Sequence, residues 1–197
     1  LLIHGAWHGG WVWNEISDIL RYQRYSVSTP TLTGLGEKKH LLSSKITIET
    51  FIEDVVNHII FENLNNIILV GHSFAGSVIS GVADKLKDRI QKLIYFDAMI
   101  LIDGQKPFDI TPKETVEQRI ELAKKFGNNI SIPAPSADAF GVFDIKKSLL
   151  LEEKLTPHPL SAFQSKLILK NEVGNGIPLS YIFCTKPVYK SLESSRE

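Results

Sequence analysis

Cysteine is almost absent from this chain. Cys184 is the only one in 197 residues, which rules out an internal disulfide and any metal site built on several thiolates. An excess of one charge is missing too. Lysine and arginine number 22 and the acids 22, with no basic stripe, so nucleic acid is not an expected partner. No apolar run approaches the ~20 residues that span a bilayer, and no membrane partner is expected. No signal peptide is visible, but Leu1 already lies in a strand-like run, so the natural N-terminus is expected upstream. Scarce cysteine is the mark of a reducing compartment, and a cytoplasmic location is the expectation drawn from it. Apolar residues are plentiful, at 43% of the chain, enough for one domain with a substantial core.

Hydrophobic spacing gives an alternating pattern. Leu1-Leu2-Ile3 reads as a buried strand ending at Gly5, Trp11–Gln23 as a helix with Trp13, Ile16, Ile19 and Leu20 inward, and Tyr25–Leu32 as a second strand. Thr47–Leu64 is amphipathic, with Ile48, Phe51, Ile52, Val55, Val56, Ile59 and Ile60 at helical spacing. Asn66–Val70 is a strand, the helix after it turns Val78, Ile79, Val82, Leu86 and Ile90 inward, and Leu93–Phe96 is a further strand. Near-continuous apolar strands alternating with helices predict a mostly parallel sheet with helices on both faces. Residues 103–170 carry helical signals (Pro112–Phe126, Ile145–Leu155) around a Pro/Ala-rich loop at Ser131–Ala139, without strand signals. They read as an inserted helical cap on a core made of residues 1–102 and 171–197. Pro178–Thr185 returns to strand character, and the chain ends in a polar, helix-like stretch.

The sharpest chemical signal is Gly71-His72-Ser73-Phe74-Ala75-Gly76. A strand runs into it and a helix leaves it, the context required of a G-x-S-x-G nucleophile elbow. Ala75 replaces the second glycine and keeps that position small. A serine hydroxyl is a weak nucleophile until a base takes its proton. The helix N-terminus supplies N–H donors for the oxyanion that forms. Phe74, following the serine, is the expected donor by this argument. The second signal is His4-Gly5-Ala6-Trp7-His8-Gly9-Gly10-Trp11, a loop that follows the first strand. His4 and His8 read as hydrogen-bonders that hold this loop. Asp97, at the end of Leu93–Phe96, reads either as a catalytic acid or as a cap of the next segment. Cys184 reads as a packed thiol.

Together these motifs resemble the α/β-hydrolase superfamily, and within it the branch of plant methyl esterases, hydroxynitrile lyases and bacterial pyrethroid-type esterases. Thr31-Leu32-Thr33-Gly34-Leu35-Gly36-Glu37 and Leu155-Thr156-Pro157-His158-Pro159-Leu160 resemble the bacterial esterases of that branch. The resemblance covers Leu1 to Thr185. It implies Ser73 as nucleophile, the Ala6 and Phe74 N–H groups as oxyanion hole, and no metal or organic cofactor. Trp7 and His158 are expected to bind substrate.

The resemblance also exposes two departures. Family members carry Asp after the strand corresponding to Leu179–Thr185, but this chain has Lys186-Pro187 there, which leaves Asp97 as the alternative acid. The family's catalytic histidine follows a further strand, and no histidine follows His158. The base, the last strand and the last helix are therefore expected beyond Glu197, and the chain alone is expected to be inactive and poorly soluble. The expected reaction is hydrolysis of a small or medium carboxylic ester through an acyl-serine intermediate. The rivals are cyanohydrin cleavage on the same fold, a non-catalytic small-molecule binder and an inactive fragment. The sequence is silent on oligomeric state.

Overall fold

A computed structural model describes residues 1–186, 188 and 190–195. Pro187, Tyr189, Arg196 and Glu197, part of the C-terminal stretch read above, lie outside the described residues. The main sheet has four parallel strands, β1 (Leu2–Ile3), β2 (Ile67–His72), β3 (Ile90–Phe96) and β6 (Leu179–Ile182), in the order β1-β2-β3-β6. Ile3 stands opposite Gly71, His72 opposite Phe96, and Phe96 opposite Ile182. This register brings the C-terminal ends of all four strands to one edge. His4-Gly5-Ala6, Ser73, Asp97 and Cys184 leave the sheet side by side there, the edge where open α/β sheets place ligands.

Helix α2 (Ile48–Phe61) follows its sequence signal closely. Thr47 caps it, with reciprocal Thr47–Thr50 bonds in the manner of a capping box. Ile48, Phe51, Ile52, Val55, Val56 and Ile59 are buried, while Ile60 is exposed. Helix α3 (Ala75–Lys85) packs on β2 and against α2, burying every residue from Ala75 to Ala83. The strand residues facing α3, Ile67, Leu69 and Gly71 of β2, are buried, whereas the alternate residues are only partly covered. Ile90, expected in this helix, opens β3 instead, because the helix ends at Lys85 and a turn at Lys87–Arg89 intervenes.

Three expectations are corrected. Helix α1 (Asn14–Tyr22) does not bury the predicted stripe: Ile16 is 45% and Ile19 56% exposed. Its inward side runs through Trp13, which meets the rings of His72 and Phe96, and through the small, buried Ser17. Tyr25–Leu32 is not a sheet strand. Ser28 accepts one bond from Leu2 N–H, and Pro30 has no donor. Leu32 N–H donates to His4 Nε2, and Thr31 C=O accepts from Lys38, so side chains take up groups a ladder would need. Finally, residues 103–170 do contain strands. Besides α4 (Lys113–Phe126), α5 (Ile145–Lys154) and α6 (Leu160–Gln164), β4 (Ser131–Ile132) pairs antiparallel with β5 (His158–Pro159). Two-residue strands are too short for alternation to reveal. Among the described residues no helix is long and apolar enough to cross a membrane.

Candidate active site

Ser73 occupies the single turn between β2 and α3 with φ +54°. That left-handed conformation is costly for a non-glycine residue and is typical of functional turns. Its surroundings hold it there: Ser73 N–H donates to Phe96 C=O at 3.2 Å, and its carbonyl accepts from Met99 N–H at 2.9 Å and Gly76 N–H at 3.1 Å. Close approach sets the small residues around it. A Cβ on Gly76 would lie 2.2 Å from Met99 O, and one on Gly5 3.0 Å from Ser73 Cβ. The elbow therefore depends on Gly76 as well as on the Gly71-Ala75 pair singled out by the motif.

The loop after β1 lies against this turn. Neither the Ala6 N–H nor the Phe74 N–H donates to a protein acceptor among the described residues. Trp7 adopts φ +65° and is pinned on three sides. Its N–H donates to His158 Nδ1 at 3.4 Å, its indole N–H to Ile132 C=O at 3.1 Å, and its carbonyl accepts from Thr156 N–H at 2.9 Å. His8 Nδ1 bonds to Ala6 C=O at 2.7 Å. His4 bonds to Gly5 C=O through Nδ1 at 2.8 Å and accepts from Leu32 N–H through Nε2, the pattern of a neutral Nδ1–H imidazole.

Burial holds His4 neutral, pushing its pKa down to about 3, and drives His158 well below the ordinary histidine value. In the unfolded chain both take up protons near pH 6.5. Below that pH the unfolded state binds more protons, so stability is fully present above about 6.5 and is lost as pH falls toward the folded values. The unfolding free energy from urea titration is expected to drop by about 2 kcal/mol per such histidine between pH 7 and pH 5. His4→Gln should flatten that slope, and a flat wild-type profile would contradict the account.

A cavity of about 890 Å³ opens above the strand ends, within the range of small-molecule sites. Gly5, Ala6, Trp7, His8, His72, Ser73 and Asp97 line it from below; Thr115, Arg119 and Pro133 are among the residues from 103–170 that complete it. Ser73 and Asp97 are thus brought to one space. Asp97 is 2% exposed with φ +41°, its N–H donates to Ile182 C=O at 2.6 Å, and Oδ1 accepts from Cys184 N–H at 3.3 Å. Lys186, at the position where the resemblance leads one to expect an acid, also lines the cavity.

His158 is placed differently from the expected substrate contact. It is fully buried and does not line the cavity. The rings of Phe74, Phe163 and Phe51 surround it at 4.8, 5.0 and 5.6 Å, and its Nε2 has no hydrogen-bond partner among the described residues. Its Pro-flanked position in β5 turns it under the Trp7 loop, where it acts as a packing ring and an acceptor for Trp7 N–H. Among the described residues no hydrogen bond joins a histidine to the Ser73 hydroxyl.

A strand-helix serine turn, an adjoining loop whose Ala6 N–H meets no acceptor among the described residues, and a cavity over the strand ends define a hydrolase of the α/β type. The family model described as "Alpha/beta hydrolase family" matches residues 1–164, and the chain belongs to that family. Its relatives include esterases and methylesterases. It is 37% identical over 179 residues to a carbendazim hydrolyzing esterase of Nocardioides sp. (strain SG-4G), covering 86% of this chain and 72% of that one. It is 32% identical over 117 residues to the putative chloroplastic methylesterase 14 of Arabidopsis thaliana, covering 58% of this chain and 33% of the relative. The solved structure of an extracellular alpha/beta-hydrolase from a Paenibacillus species, described as sharing structural and functional homology with tobacco salicylic acid binding protein 2, superposes with a TM-score of 0.83. Its identity is 32%, over 94% of this chain and 76% of that one.

Proposed function

We propose that this chain carries the nucleophile, oxyanion hole and acid of a serine esterase acting on small or medium carboxylic esters. The observation that carries the reading is Ser73, held at φ +54° on the rim of a cavity of about 890 Å³. Ser73 Oγ attacks the ester carbonyl carbon while its proton passes to a base. Ala6 and Phe74 N–H donate to the oxygen that becomes negative, which is why free donors there matter. The tetrahedral intermediate collapses, the alcohol leaves with the proton, and water repeats the sequence to release the acid. Asp97 orients the base and stabilises its charged form. Trp7 forms part of the acyl pocket. His158 supports the loop from beneath. Among the described residues no histidine bonds to the Ser73 hydroxyl, and this reading assigns the base to none of them. Residues 103–170 act as a cap over a core of 1–102 and 171–197, because α4 and the loop after β4 roof the cavity. The esterase and methylesterase relatives support the same chemistry.

The test is an assay of the full-length protein that carries residues 1–197 on p-nitrophenyl butyrate and on mandelonitrile. Ester turnover without cyanide release is expected. Cyanide release without ester turnover would replace the reading with a lyase, and neither activity would make the cavity a binding site only.

A further inference from the structure

Among the described residues, Arg119 is a cation without a counter-charge in the wall of the cavity. It lies on α4, its guanidinium carbon 5.4 Å from the centroid of the Trp7 ring and 4.8 Å from that of Phe163. Stacking on two rings satisfies the faces of a guanidinium but none of its edge donors. Among the described residues Nη1 is buried with no hydrogen-bond partner and no carboxylate pairs with the group. Burial pushes its pKa down only to about 10, so it stays charged at neutral pH. The neighbouring acids of α4 are engaged at the surface, Glu117 with Lys113 at 3.8 Å and Glu121 with Lys124 at 2.7 Å. Among the described residues the charged lining of the cavity is Asp97 against two cations, Arg119 and Lys186. Asp97 already accepts from Cys184 N–H. A guanidinium nitrogen buried without a partner is costly, and that cost is recovered when an anion arrives to pair with it.

We infer that the cavity selects esters bearing a second, anionic group, a carboxylate above all, which Arg119 receives while the ester carbonyl lies at Ser73. The inference rests on the esterase reading for its chemistry, though not for its binding. Planar carboxylate matches the guanidinium edge with two parallel N–H···O bonds, which an uncharged chain end cannot form. Trp7 couples the two ends of such a substrate. Its ring carries Arg119 and its backbone continues from Ala6.

The test compares monomethyl succinate, glutarate and adipate with the neutral methyl esters in which a methyl group replaces the carboxylate, using the full-length protein. In the wild type kcat/KM is expected to favour the anionic ester by about tenfold or more at one of the three lengths. Arg119→Met should abolish that ratio and Arg119→Lys should keep part of it. The ratio is read, not the absolute rate, and thermal unfolding reports the fold of each variant. Calorimetric titration of Ser73→Ala with monomethyl glutarate and methyl pentanoate measures recognition without turnover. Ester turnover with no anionic preference, or a preference that survives Arg119→Met, overturns the inference and leaves the esterase reading standing. Arg119-dependent binding of the anionic ester by a protein that turns over no ester supports the inference and overturns that reading.

Discussion

Ser73→Ala is expected to lower kcat/KM for ester hydrolysis by at least about a thousandfold in the full-length protein, with cooperative unfolding retained. The magnitude follows from the division of labour. Removing Oγ takes away the covalent route but leaves the Ala6 and Phe74 donors, so a residual rate above that of water is expected. The fold should tolerate the change because the backbone bonds, not the hydroxyl, hold the turn: Ser73 N–H to Phe96, and the Ser73 carbonyl to Met99 and Gly76. Alanine is hardly larger or smaller than serine, and the neighbouring Gly5 leaves room for its Cβ. Turnover near the wild-type level would remove Ser73 from the mechanism.

The second large effect is expected at Asp97. Asp97→Asn keeps the shape of the side chain and an oxygen to accept from Cys184 N–H, but removes the charge. If Asp97 orients the base, kcat should fall by about 10⁴-fold, the size seen when a triad aspartate becomes asparagine, because the amide favours the wrong imidazole tautomer. Loss of the acid should also shift the pH profile of kcat/KM, since the base loses the charge that stabilises its protonated form. A residue serving only as a backbone cap would leave the profile in place and show its loss in stability alone. Unchanged turnover in Asp97→Asn would return the acid to the region after β6, where Lys186 now lines the cavity.

How much of this was legible in the sequence depended on the range of the forces involved. The elbow was legible because its demands are local: a tight turn between strand and helix admits only small flanks, and Gly71, Ala75 and Gly76 meet them. Helix α2 was legible because its buried stripe and its Thr47 cap lie within one run of residues. The stripe of α1 was not, since Ile16 and Ile19 fit the period as well as Trp13 does, and only the rings of His72 and Phe96 decide which side packs. His158 was misplaced for a similar reason. Its flanking prolines marked an irregular segment, but nothing local showed that β5 would pair with β4 and carry the ring beneath Phe74. Arg119 was overlooked among the many charges of α4. A faint signal was present: Thr115, Gln118, Arg119 and Leu122 fall at helical spacing and together line the cavity. Only the position of Trp7 and Phe163, far away in sequence, turns that arginine into a feature of the site.

The central claim is that Ser73 is the nucleophile, and its most direct test is covalent. The full-length protein is incubated with a fluorophosphonate, an irreversible acyl-transfer mimic, digested, and its peptides are weighed by mass spectrometry. A single stoichiometric adduct on Ser73, absent from Ser73→Ala, is the expected result. An adduct on another residue, or turnover of esters by a protein whose Ser73 stays unlabelled, would contradict it.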